Sequence, residues 1–118
     1  MEKIVKQALL LDFYGELLTE HQRQVYTDVI SEDMSYSEIA EEYGVSRQGI
    51  FDLVRRCEKI LLEYEEKLRL VEKFSRARES MKDISDTMAV LKMKNTNPEL
   101  SPLIERIEHR TEEILEDF

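Results

Sequence analysis

Residues 34–59 read MSYSEIAEEYGVSRQGIFDLVRRCEK, and the rest of the 118-residue chain is organised around them. Ser35-Tyr36-Ser37-Glu38 has the pattern of a capping box, in which the serine hydroxyl accepts from the backbone N–H three residues on. A helix is therefore predicted from Tyr36. Gly44 ends it, because the left-handed conformation just past a helix is cheapest for glycine. Ser46 is the next N-cap, and a second helix follows from Arg47. Ala40 falls where two helices cross closely and a small side chain is needed. Ile39, Tyr43 and Val45 are expected to point inward and to meet Ile50 and Leu53. This is the pattern of a helix-turn-helix, with helices over about 36–43 and 47–72, the second aimed outward as a recognition helix.

The outward face of that second helix supplies the candidate site: Ser46, Arg47, Gln48, Phe51, Asp52, Arg55, Arg56 and Lys59. Ser46 lies at a helix N-terminus, where backbone N–H groups attract phosphate. Arg47 and Gln48 have the donors and acceptors to read base edges in a major groove. Arg55, Arg56 and Lys59 suit backbone phosphates. Asp52 repels phosphate but can accept from cytosine. Gly49 weakens the helix at its first turns by about 1 kcal/mol relative to Ala.

Working outward, helical periodicity runs through the whole chain. Ile4, Ala8, Leu11, Tyr14 and Leu18 follow at spacings of three and four, which predicts a helix over 4–18 with one inward face. Thr19-Glu20-His21-Gln22 is a further capping box. It predicts a second helix with Val25, Val29 and Ile30 inward, ending near Ser31, and then a short polar connection over 31–34. From Arg47 no proline occurs until Pro98. An unbroken helix there would be about 75 Å long, so a break is expected near Lys73–Ser75 and a second near Asp86. Asn95-Thr96-Asn97-Pro98 reads as a loop. Ser101-Pro102 then reads as an N-cap and first-turn pair opening a last helix to about Asp117, with Leu103, Ile107, Thr111, Ile114 and Phe118 on one stripe. The fold class is all-α.

Ile50, Val54, Cys57, Leu61, Tyr64, Leu68 and Val71 alternate by four and three as a heptad seam, and Phe74, Ala77, Met81, Ile84, Met88 and Leu91 continue it after a three-residue step. These residues can pack onto other helices of the same chain or join copies of it. Two-sided apolar helices in so short a chain favour self-association, with a dimer expected. The domain reading is a helical domain with the helix-turn-helix over 1–72 and a helical tail for packing or oligomerisation over 73–118.

Composition excludes several classes. Lys and Arg number 17 against 26 Asp and Glu, a net charge of −9, and 36% of residues are charged. An acidic chain has little general affinity for phosphate. Three glycines, two prolines and no tryptophan disfavour β-sandwiches and glycine-looped enzymes. No apolar run of about 18 residues and no signal-peptide pattern occur, so neither membrane insertion nor export is expected. A single cysteine excludes an internal disulfide framework and fits a reducing cytoplasm. His21 and His109 are far apart and lack cysteine partners, so no zinc site is expected. Glu63, Glu65, Glu66, Glu112, Glu113, Glu116 and Asp117 are spread around their helices as solvated faces rather than a metal cage. Cys57 lies on the apolar seam with no base suggested beside it. No catalytic motif and no cofactor site is found.

The stretch SEIAEEYGVSRQGIFDLVRRCEKIL resembles region 4 of bacterial sigma factors. It resembles more closely the YlxM family of small bacterial proteins, through three segments: Phe13-Tyr14 to Gln22, Glu38 to Gln48, and Glu58 to Leu68. That likeness covers roughly residues 8 to 70 and implies a helix-turn-helix regulator that binds DNA. The family's gene typically neighbours that of the signal recognition particle GTPase, which implies a role in the protein-targeting pathway. Two functions are thus expected as alternatives. One is a regulator of duplex DNA. The other is a protein- or RNA-interaction module of the signal recognition particle, with its RNA or its GTPase as partner.

Overall fold

The computed structural model describes residues 2–31 and 34–118. Among these residues six α-helices follow one another: α1 (Lys3–Tyr14), α2 (Glu20–Ser31), α3 (Tyr36–Tyr43), α4 (Arg47–Leu68), α5 (Leu70–Lys94) and α6 (Ser101–Glu116). Among the described residues there is no strand, so the fold is all-α. Two compact units are formed, Met1–Val71 and Glu72–Phe118. Part of the connection read over 31–34 lies outside the described residues.

In the first unit the caps operate as their chemistry requires. The Gln22 N–H donates to Thr19 Oγ1 at 3.2 Å, and Gln22 Oε1 accepts from the Thr19 N–H at 3.1 Å. Both halves of that capping box are therefore made. The helix begun at Lys3 stops at Tyr14 and tightens into a 3₁₀ turn, Gly15–Leu17, rather than running on to Leu18. Its inward face is also rotated from the expected one. Leu10, Tyr14 and Leu18 are buried and Leu11 is half-buried, whereas Ile4 and Ala8 are exposed.

α4 runs through the centre of this unit, packing on α1, α2 and α3. Its seam of Ile50, Val54, Cys57 and Leu61 is buried against Leu10, Tyr14, Val25, Tyr26, Ile39 and Ala40. This part of the heptad seam therefore serves the chain's own core. Polar ties join the helices at the rim. The Tyr43 hydroxyl donates to Asp28, linking α3 to α2, and Gln7 Nε2 donates to Glu58 Oε1 at 2.9 Å, linking α1 to α4.

α4, the expected recognition helix, ends at Leu68, short of residue 72. The break falls at Arg69, in the left-handed region at φ 54°, not at Lys73–Ser75. A new helix start leaves backbone N–H groups to satisfy. Here Leu70 N–H donates to the Tyr14 hydroxyl at 3.0 Å, and Val71 N–H donates to Glu65 Oε1 at 3.0 Å. The Tyr14 hydroxyl in turn donates to the same carboxylate at 2.6 Å. Beyond this clasp α5 continues through Asp86 without interruption.

The second unit is an antiparallel hairpin of α5 and α6. Phe74 stacks on Phe118 at a centroid distance of 4.6 Å, and Lys92 Nζ meets Glu108 Oε1 at 3.0 Å. The turn is held by Asn95, whose Nδ2 donates to Ser101 Oγ and to the Asn97 carbonyl. Leu100, not Ser101, occupies the N-cap position of α6. The apolar stripes are divided differently from the expectation. Met88, Ile104 and Thr111 face inward, while Ile84, Leu91, Leu103, Ile107 and Ile114 face outward.

Candidate nucleic-acid interface

The turn between α3 and α4 is built by hydrogen bonds that its sequence specifies. Ser35 Oγ accepts from the Glu38 N–H at 3.2 Å and starts α3. Gly44 takes φ 68°, the left-handed conformation its lack of a Cβ permits. Val45 N–H then donates to the Ala40 carbonyl and Gly44 N–H to the Glu41 carbonyl, the paired bonds of a Schellman ending. Ser46 Oγ accepts from the Gly49 N–H at 2.9 Å and starts α4. Gly49 has a positive role here. A Cβ on it would sit 3.1 Å from Ser46 Oγ, so glycine leaves the capping hydroxyl its room.

The helix-turn-helix leaves Ser46, Arg47, Gln48, Phe51, Asp52, Arg55, Arg56 and Lys59 exposed. At 100° per residue, Gln48, Asp52, Arg55 and Lys59 follow one another along the outward face, with Phe51 and Arg56 to either side. Contacts between neighbours already set part of this surface. Gln48 Nε2 donates to Asp52 Oδ1 at 3.0 Å, so the amide partly balances the carboxylate. The Arg55 guanidinium lies 5.8 Å from the centre of the Phe51 ring, within cation–π range. Phe51 in turn meets Tyr36 of α3, ring centres 6.3 Å apart. Tyr36 was not among the expected site residues. Its position as first residue of α3 is visible in the sequence, but its contact with Phe51 depends on the angle between the helices.

Two features depart from the expected surface. Val45 is 48% exposed instead of inward, so with Phe51, 40% exposed, it makes an apolar margin at the turn. The basic character of the outward face is also concentrated between Arg47 and Lys59. Beyond Lys59 the groove along the helix is lined by Leu62, Glu63 and Glu66, and α3 presents Glu38, Glu41 and Glu42. The cationic surface is thus a short patch of Arg47, Arg55, Arg56 and Lys59 within acidic surroundings. Among the described residues no cluster of His, Cys, Asp and Glu is placed to hold a metal. None of the helices is long and apolar enough to cross a membrane.

Comparison with known proteins agrees with this geometry. Residues 1–101 match the model of the family UPF0122, described as "Putative helix-turn-helix protein, YlxM / p13 like". The UPF0122 protein of Clostridium acetobutylicum is 44% identical over 108 residues, 92% of this chain and 93% of its own. That of Acetivibrio thermocellus is 41% identical over 120 residues, covering 98% and 99%. That of Halalkalibacterium halodurans is 38% identical over 108 residues, covering 92% and 96%. A family match over most of the chain, relatives of matching length and a helix-turn-helix with its caps in place lead to one assignment: this chain belongs to the UPF0122, YlxM / p13-like family of helix-turn-helix proteins.

Proposed function

We propose that the protein is a regulatory nucleic-acid binder that inserts the Arg47–Lys59 stretch of α4 into the major groove of duplex DNA. The observation that carries this reading is the outward stripe of α4. Gln48, Asp52, Arg55 and Lys59 follow one another there, with Arg47 and Arg56 exposed beside them and Ser46 capping the end that would approach the duplex. In this reading Arg47 and Gln48 contact base edges, and Arg55, Arg56 and Lys59 contact phosphates. A dimer would carry two copies of α4, as two-fold sites require.

The exposed margin of Val45 and Phe51 supports a second reading. In it the same face docks on a component of the signal recognition particle, its RNA or its GTPase, and reads no DNA sequence. Fluorescence anisotropy distinguishes the two. The purified chain is titrated with a pool of promoter-length duplexes and with signal recognition particle RNA. The DNA reading expects saturation below about 1 μM with one duplex preferred, and expects Arg47→Ala with Gln48→Ala to remove that preference. Binding curves unchanged by the pair of substitutions refute the base-reading role. Selective binding of the RNA transfers the function to the targeting particle.

A further inference from the structure

We infer that the outward apolar face of the α5–α6 hairpin is the surface through which two copies of this chain associate. Ile84 and Leu91 on α5, with Leu103, Ile107 and Ile114 on α6, are each between 39% and 55% exposed. At 100° per residue both sets lie on the same side of the hairpin, while Lys92 and Glu108 pair on the opposite side. The hairpin buries only Met88, Ile104 and Thr111 between its helices, fewer apolar groups than it leaves outside. Two helices form one layer, and a layer encloses a core only against a second.

A second copy fits the face in pattern and charge. α6 has 16 residues, so the face is about 24 Å long and about 20 Å wide. Its plan area is about 480 Å² per partner, which places the pair among the small, readily dissociating interfaces. Ala77, Ile84 and Leu91 recur every seven residues on α5, and Leu103, Ile107 and Ile114 step by four and seven on α6. This is the seam of a helical bundle. In an antiparallel apposition, the register that sets Leu103 of one copy against Ile114 of the other also brings Arg106 toward Glu113. Two-fold symmetry makes each contact twice.

The test is sedimentation velocity of the full chain from about 1 μM to about 100 μM, and it reads self-association whether or not nucleic acid binds. A dimer of 14.0 kDa chains is expected. Leu103→Glu with Ile107→Glu is expected to weaken it at least about tenfold. Val90→Glu, at an exposed position on another side of α5, is expected to leave it unchanged, with circular dichroism alike in all three. A second variant guards against misfolding. Ile107→Cys is expected to be bridged to its counterpart by a short bis-maleimide, and Val90→Cys is not. A monomer throughout, a dimer indifferent to the double substitution, or equal damage from Val90→Glu overturns the inference.

Discussion

Cys57 shows how one side chain is defined by its surroundings. It is fully buried, its thiol 3.9 Å from the Gln22 carbonyl oxygen, and burial pushes its pKa from 9.0 up to about 11. The protein therefore holds the neutral thiol. Its contribution to stability is complete below pH 9.0 and is lost as pH rises toward about 11. Tyr43 acts in the same direction. Its hydrogen bond to Asp28 raises it from 10.0 to about 12, so deprotonation is resisted until higher pH. Native protein at about pH 8 is accordingly expected to resist maleimide, and urea to release one reactive thiol. The unfolding midpoint should fall as pH rises above 9.0. Labelling of the native protein at the rate of a free thiol would contradict this. The seam placed Cys57 inside correctly. Tyr26 is as fully buried as Cys57 yet was not read as core, because a tyrosine's amphipathic ring does not reveal on which side it settles.

At the scale of the element, helix starts and stops were legible wherever the capping groups are neighbours in sequence. Thr19 with Gln22, Ser35 with Glu38 and Ser46 with Gly49 each lie three residues apart. The break between α4 and α5 has no such local signal. It occurs at an arginine, and the tyrosine hydroxyl receiving Leu70 N–H is 56 residues away. The turn is thus sustained by tertiary contact. Removing that contact gives a sharp prediction. Tyr14→Phe keeps the ring but leaves Leu70 N–H without its acceptor, and is expected to destabilise the chain by about 1–3 kcal/mol. Equilibrium urea unfolding measures this, and a change below about 0.5 kcal/mol would show the clasp to be incidental. The same distinction explains α1 and α6. Apolar spacing identified helices, but each carries apolar groups on more than one side, and only packing chose Leu10 over Ala8 and Ile104 over Ile107.

For the whole molecule, charge limits how nucleic acid can be held. The net charge is −9, and the exposed cations at the start of α4 number four: Arg47, Arg55, Arg56 and Lys59. Three phosphate contacts, with Arg47 on a base edge, give a log–log salt dependence of about −2.7, and all four cations on phosphates would give about −3.6. Duplex binding through α4 alone is therefore expected to show a slope no steeper than about −4, read from anisotropy titrations at several salt concentrations. A steeper slope would mean that cations elsewhere, such as those of α5, also reach the duplex. The acidic surroundings oppose loose binding to any polyanion.

The sequence by itself determined the all-helical class, the helix-turn-helix and its caps, because these depend on contacts within one or two helical turns. It also identified the exposed residues of the candidate site, since the buried seam of α4 leaves only one side to solvent. Tertiary structure alone decided where the long helix breaks, which of several apolar stripes turns inward, and that Val45 lies outside while Tyr36 meets Phe51. Those outcomes rest on contacts between segments far apart in the chain. Local periodicity offers near-equivalent choices there, and only the assembled core distinguishes them.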